Sequence, residues 1–162
     1  MDDPRRDAAE PSWHDNLVYG LFLQTADPAR GKWRSNLLLD IDHILEWVCG
    51  ADRSVKFLVA PTTLTFHDVT DLRIDVDFGA SGFHRTINEL SIADIEKEAV
   101  KVEGARGPRP YFRWRILLNL PQGGEIAFGA SGYSQTFRAE AVLLDEQSLP
   151  ADRRPPFVLI DP

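Results

Sequence analysis

Cysteine is nearly absent from this chain: Cys49 is the sole one in 162 residues, so no disulfide can form within it. Paired Cys-x-x-Cys zinc ligands are excluded on the same ground, and no His-Glu-x-x-His run stands in for them. Long apolar runs are missing too. None approaches the roughly 20 residues a membrane-crossing helix needs. The opening "MDDPRRDAAEP" is polar and mixed in charge, without the apolar stretch of a signal peptide, so a cytoplasmic protein is expected. Positive charge is in deficit, with 18 Lys and Arg against 25 Asp and Glu and a formal net charge of −7. That balance argues against nucleic acid or an anionic membrane as partner. It leaves basic proteins, divalent metal cations and neutral small molecules. Nothing in the pattern sets an oligomeric state.

What is present is ordinary for a globular domain, with 43% apolar residues in a length that suits one core. The reading divides the chain into a flexible arm over 1–12, a single β-rich domain over 13–150, and a proline-rich tail over 151–162. The "FVLI" of that tail is expected to dock back on the domain.

Alternation with a period of two dominates the middle of the chain. In "LRIDVDF", Leu72, Ile74, Val76 and Phe78 share one face and Arg73, Asp75 and Asp77 the other. In "YFRWRILLNL", Phe112, Trp114, Ile116, Leu118 and Leu120 alternate with an outward set of Tyr111, Arg113 and Arg115. Pro121, Gly123 and Gly124 then signal a hairpin. "LVYGLFLQT", "VKFLVA", "TLTF" and "SQTFRAEAVLL" are further strand candidates. "LLLDIDHILEWV" fits a strand with Leu37, Leu39, Ile41, Leu45 and Trp47 inward, and also fits a helix; the lack of a strong start signal favours the strand. Ser91 followed three residues later by Asp94 predicts one short helix over "SIADIEKEAV". The fold class expected is all-β, an antiparallel β-sandwich or flattened barrel with two related hairpins.

The five residues Phe-Gly-Ala-Ser-Gly occur twice, at Phe78–Gly82 and Phe128–Gly132, each followed by an aromatic residue. A phosphate-binding loop requires a lysine and a helix start immediately after, and neither copy has them. Small residues at a strand end suit a bulge or a close crossing, so the repeat is read as a structural corner. Ser81 and Ser131 do not match the Gly-x-Ser-x-Gly nucleophile elbow, and Cys49 follows an apolar run, as an inert thiol does.

Two constellations carry chemistry. His14, Asp40, Asp42 and His67 are candidate ligands of a divalent metal. In a strand, Asp40, Asp42 and Glu46 share a face, with side chains at i and i+2 about 7 Å apart, and carboxylates with imidazole suit a metal that activates water. His43 then points the other way. The competing reading is an acidic solvent-facing strand. The second constellation, Arg109, Arg113 and Arg115 with Arg106, is a candidate interaction patch. Pairing of these arginines with an acidic neighbour strand, such as the one bearing Asp75 and Asp77, is favoured over an anion-binding surface.

Trp13-His14-Asp15-Asn16, then "LLLDIDHI", then Phe66, Val69 and Leu72 resemble the opening of uncharacterised small bacterial all-β proteins, and loosely some polymorphic-toxin immunity proteins. The resemblance implies one β-rich domain without known catalysis. The function expected is non-catalytic binding of a protein with a basic surface. A metal-dependent hydrolase built on the His/Asp cluster is the second reading. A small-ligand binder, with its pocket between the sheets or near the glycine corners, is the third.

Overall fold

The structure, a computed structural model, describes residues 12–79, 89–104 and 107–156. Most of the first Phe-Gly-Ala-Ser-Gly copy, Arg106 and the apolar 157–160 run lie outside them. Eleven strands form among the described residues: β1 Leu17–Gln24, β2 Asn36–Cys49, β3 Val55–His67, β4 Thr70–Asp75, β5 Ser91–Ala99, β6 Val102–Gly104, β7 Gly107–Arg109, β8 Phe112–Leu120, β9 Glu125–Ala130, β10 Gly132–Phe137 and β11 Val142–Leu144. The described helical content is two short 3₁₀ turns, at Pro28–Arg30 and Ala151–Arg153. The chain is all-β and antiparallel, as the alternation predicts.

The expected helix over 91–100 is a strand instead. Ser91–Ala99 pairs along β8, from Ser91 opposite Leu120 to Ala99 opposite Phe112. Asp94 accepts a hydrogen bond from the amide of the next residue, Ile95, at 2.8 Å, beside a register shift, so its carboxylate serves a bulge and not a helix cap. Ladder pairing here overrides a weak local signal.

One sheet runs in the order β10-β3-β2-β1-β5-β8-β9-β4, with β11 added to β3, while β6 and β7 make a separate small ribbon. β3 and β4 do not pair with each other. The chain instead runs on through Asp68, at φ 62°, and β4 pairs with β9 while β10 pairs with β3. Ser131 links β9 to β10 and donates its amide to His67 O at 2.9 Å. The sheet therefore bends at His67–Thr70 and Ala130–Gly132, and its two halves face each other without closing into a barrel.

Between the halves lies the core. Leu37, Leu39 and Ile41 of β2 with Leu64 and Phe66 of β3 meet Ile92, Trp114, Ile116, Ile126 and Phe128 from the other half. Phe66 stands edge-on to both Trp114 and Phe128, at 5.2 and 4.8 Å between centroids, an orientation that sets ring edge against ring face. The second glycine repeat is explained here. A Cβ on Gly129 would stand 2.8 Å from both Thr70 Oγ1 and Tyr111 Cε1, so only glycine lets β9 pass the corner. Tyr111, expected outward with the arginines, is buried there and donates its hydroxyl to Asp68 O at 2.9 Å.

β3 crosses the sheet with a proline in its middle. Pro61 O accepts from Arg138 N at 2.7 Å, on the side where β10 has ended and β11 has not begun. The missing N–H of Pro61 therefore falls in a gap of the ladder, where it interrupts nothing.

β2 is buried on both faces from Leu37 to Ile44. Its inner face meets the core. Its outer face is covered by the segment after β11, and there Ile44, Val59 and Leu149 form a second apolar cluster with Phe57 of β3 and Val142 and Leu144 of β11. Beyond Ile44 a bulge shifts the register, so that Ile44 opposes Val59 and Glu46 opposes Leu58. Leu45 and Trp47, expected inward, lie beyond the cover and are exposed.

Candidate functional site

Asp40 and Asp42 do share a face, as the strand reading requires, but that face is neither solvent nor an open site. Asp42 is fully buried, and the C-terminal segment closes over it. Its two oxygens receive Arg154 Nε at 3.2 Å and Arg154 Nη2 at 2.6 Å, and Leu149 N donates to Oδ2 at 3.0 Å. Asp40 accepts from Thr63 Oγ1 at 2.5 Å, with Arg138 Nη1 at 4.0 Å. Arg138 in turn donates to Thr63 Oγ1 and to Pro156 O. Two carboxylates and two guanidiniums thus neutralise each other, as buried charges must.

Tyr19 completes this layer. It is the extra residue at a register shift in β1, where Val18 opposes Ile41 and Gly20 opposes Asp40. Arg154 lies over its ring, 4.5 Å from the centroid. Burial, reinforced by the negative charges of Asp40 and Asp42, pushes its phenol up to about 12.

The four metal candidates do not come together. His14 is exposed, with Nδ1 2.6 Å from Ala93 O and Nε2 3.4 Å from Asp15. His67 lies four residues along β3 from Thr63, roughly 13 Å at the strand rise, with Nε2 2.9 Å from Ser134 Oγ. Arginines occupy the space a cation would take beside the aspartates. Glu46 is parted from Asp40 and Asp42 because the bulge puts it on the His43 face. Among the described residues no group of three His, Cys, Asp or Glu side chains is placed to hold a metal ion.

His43 is buried on the inner side, in contact with Asn16. Asn16 Nδ2 lies 2.8 Å from His43 Nδ1, and its Oδ1 accepts from Ile44 N at 3.2 Å. The amide as donor fixes Nδ1 as the acceptor, and burial lowers the pKa of the imidazole, so the ring is neutral.

The arginines are also divided. Arg113 and Arg115 project from β8 and pair across the sheet, as expected in kind, but with different partners. Arg113 reaches Glu98 at 3.6 Å, and Arg115 reaches Glu96 at 3.0 Å and Glu125 at 2.7 Å. β5 and β9, not β4, flank β8; Asp75 pairs with Arg73 and Asp77 accepts from Gly79 N. Arg109 sits apart on the β6–β7 ribbon and bonds Asp68 at the corner, 2.8 Å. The cysteine is exposed at the end of β2, not buried.

Two tryptophans are exposed among the described residues. At the far end of β2, Trp47 is 52% exposed, edge-on to Phe57 with centroids 5.0 Å apart. At the near end, Trp33 is 75% exposed in the turn between β1 and β2, beside a cleft of about 470 Å³. The sequence reading singled out neither as a site, because a tryptophan among apolar or turn residues carries no exposure signal of its own. Arg138, Arg154 and Tyr19 were missed because the aspartates they meet are over twenty residues away in the chain.

No protein-family model, curated protein or solved structure matches this chain. Among the described residues no helix is long and apolar enough to cross a membrane.

Proposed function

We propose that the protein is a non-catalytic protein-binding domain, and that it meets its partner at the open end of the β2–β3–β11 face. The observation that carries this reading is Trp47. Register aligns it with Phe57 and Leu144 across three strands, and Cys49 and Val55 continue the same face beyond. A half-exposed tryptophan braced by a neighbouring ring is the residue type that anchors protein interfaces. The patch is apolar at its centre and charged at its rim, the anatomy of a recognition surface.

The rim is acidic. Asp52, Asp145 and Glu146 outnumber Arg53 and Lys56, and Lys56 is itself paired with Asp145 at 3.3 Å. A partner with basic groups around an apolar contact fits this surface, and salt weakens the encounter. An immunity-like role, the blocking of a basic toxin, is the form of binding that the opening motif suggests.

The test is capture from cell extract with wild-type protein, Trp47→Ala and a distant surface control, Arg113→Ala. A basic protein retained by wild type and the control, lost with Trp47→Ala and eluted by moderate salt, supports the proposal. Retention unchanged by Trp47→Ala sinks it.

A further inference from the structure

Leu38 is buried without belonging to either apolar cluster of the described residues. It is 4% exposed, yet neither the core between the sheet halves nor the Ile44 cluster includes it. Alternation along β2 puts it on the outer face with Asp40 and Asp42. Its neighbours in the ladder are Phe22 of β1 and Thr65 of β3. The Phe22 ring leans toward Gly20 and Asp40, with Cε2 3.0 Å from where a Gly20 Cβ would stand. Strand side chains stand roughly perpendicular to their sheet. Phe22 and Thr65 therefore wall Leu38 on two sides, and a cover has to come from above.

The segment after β11 advances toward this groove. Leu149 packs with Ile44 and Val59, and its amide bonds Asp42. Arg154 follows on Asp42 itself, and Pro156 O accepts from Arg138 Nη2 at 3.0 Å. Arg138 also donates to Thr63 Oγ1 at 3.1 Å, and Thr63 opposes Asp40. The contacts thus step along the outer face from Ile44, through Asp42, to the level of Asp40. The next outward position is Leu38, about 7 Å further on.

Phe157, Val158, Leu159 and Ile160 follow Pro156 in the sequence. Pro155 and Pro156 favour an extended backbone. Four extended residues reach roughly 13 Å, enough to cross the groove. The run carries no charge, and laying it over Leu38 and Phe22 removes apolar surface of both from water.

From this geometry we infer that the outer groove at Leu38 is a docking site for an apolar extended segment, and that its occupant is the chain's own Phe157 to Ile160. Arg154 and the Arg138–Pro156 bond already hold the run at the groove's edge. That tether gives it an effective concentration a free competitor does not match. The site is separate from the Trp47 face, nine residues or roughly 30 Å away along β2.

The test is disulfide trapping in the full chain, with Cys49→Ser as background. Thr65→Cys is combined in turn with Phe157→Cys, Val158→Cys, Leu159→Cys and Ile160→Cys. Arg113→Cys, on the exposed side of β8, replaces Thr65→Cys in the control set. Thermal melts of the reduced proteins identify the variants that fold. Because a disulfide forms only where Cα atoms come within about 7 Å, at least one run position is expected to close on position 65 roughly tenfold or more faster than on position 113. Closure should occur within one molecule at micromolar protein, read by mass and gel mobility. Equal rates at positions 65 and 113 overturn the inference. Cross-links between molecules in place of within them also overturn it, and assign the groove to the run of a second copy. Neither readout involves Trp47, so failure here and failure of the protein-binding reading are separately visible.

Discussion

Arg154 closes over Asp42 with two of its nitrogens on the two carboxylate oxygens, at 3.2 and 2.6 Å, across 112 residues of chain. The bond is bidentate, desolvated on the aspartate side and stacked on Tyr19. It fastens the C-terminal segment to the central strand. The carboxylate pair that looked most like catalytic machinery is a structural lock.

Removing either partner leaves a buried charge without its counterion. Asp42→Ala and Arg154→Ala are each expected to destabilise by about 3–5 kcal/mol in urea unfolding. The double substitution Asp42→Asn with Arg154→Met should cost clearly less than the sum of the singles, since it strands no charge. Divalent metals and chelator should leave the wild-type melting midpoint where it is. A metal-dependent rise abolished by Asp42→Ala would contradict the lock and restore the metal reading, because a ligand of the folded state must raise the midpoint.

Stability against pH should fall on two flanks with separate causes. Tyr19 has a folded pKa raised from 10.0 to about 12. Above pH 10 the unfolded chain loses this proton while the folded one keeps it, so stability present below 10 declines as pH rises toward 12. His43 is shifted the other way, below 6.5, by burial. As pH falls below 6.5 the unfolded chain takes up a proton that the folded ring refuses, and stability drops. Denaturant midpoints across pH should show both slopes. Tyr19→Phe should flatten the alkaline one alone; an unchanged alkaline slope in that variant would place its origin elsewhere.

Legibility in the sequence followed the range of the interaction. The β8–β9 hairpin, the alternating faces of β8 from Phe112 to Leu118 and, with a helix as its rival, the strand over Asn36–Cys49 rest on neighbours one to four residues apart and were readable, whereas Tyr111 is buried and Leu120 exposed against the expected alternation. The helix expected after Ser91 failed because its signal was one local bond, outweighed by pairing with β8, over twenty residues later. The acidic face of β2 was read as open because nothing near Asp40 or Asp42 announces Arg138 or Arg154. Parity counting placed Leu45 and Trp47 inward, and a single-residue bulge after Ile44 broke the count. Alternation describes a strand until a bulge resets it, and composition alone does not mark where that happens.

The repeated glycine motif can be settled by two substitutions within its second copy. Gly129 faces Thr70 Oγ1 and Tyr111 Cε1 at 2.8 Å and Tyr111 Oη at 2.9 Å from where a Cβ would sit, whereas Gly132 has nothing within 4 Å. Tyr111 cannot simply retreat, because its hydroxyl lies 2.8 Å from Thr70 and donates to Asp68 O. Gly129→Ala is therefore expected to destabilise by about 1–3 kcal/mol, the usual cost of overpacking a close contact. Gly132→Ala should stay within about 0.5 kcal/mol of wild type, as surface changes do. Urea unfolding of the two variants side by side decides it. Equal effects would mean that the motif is not kept by the Tyr111 crossing, and a Gly129→Ala protein of wild-type stability would remove the steric account of the corner altogether.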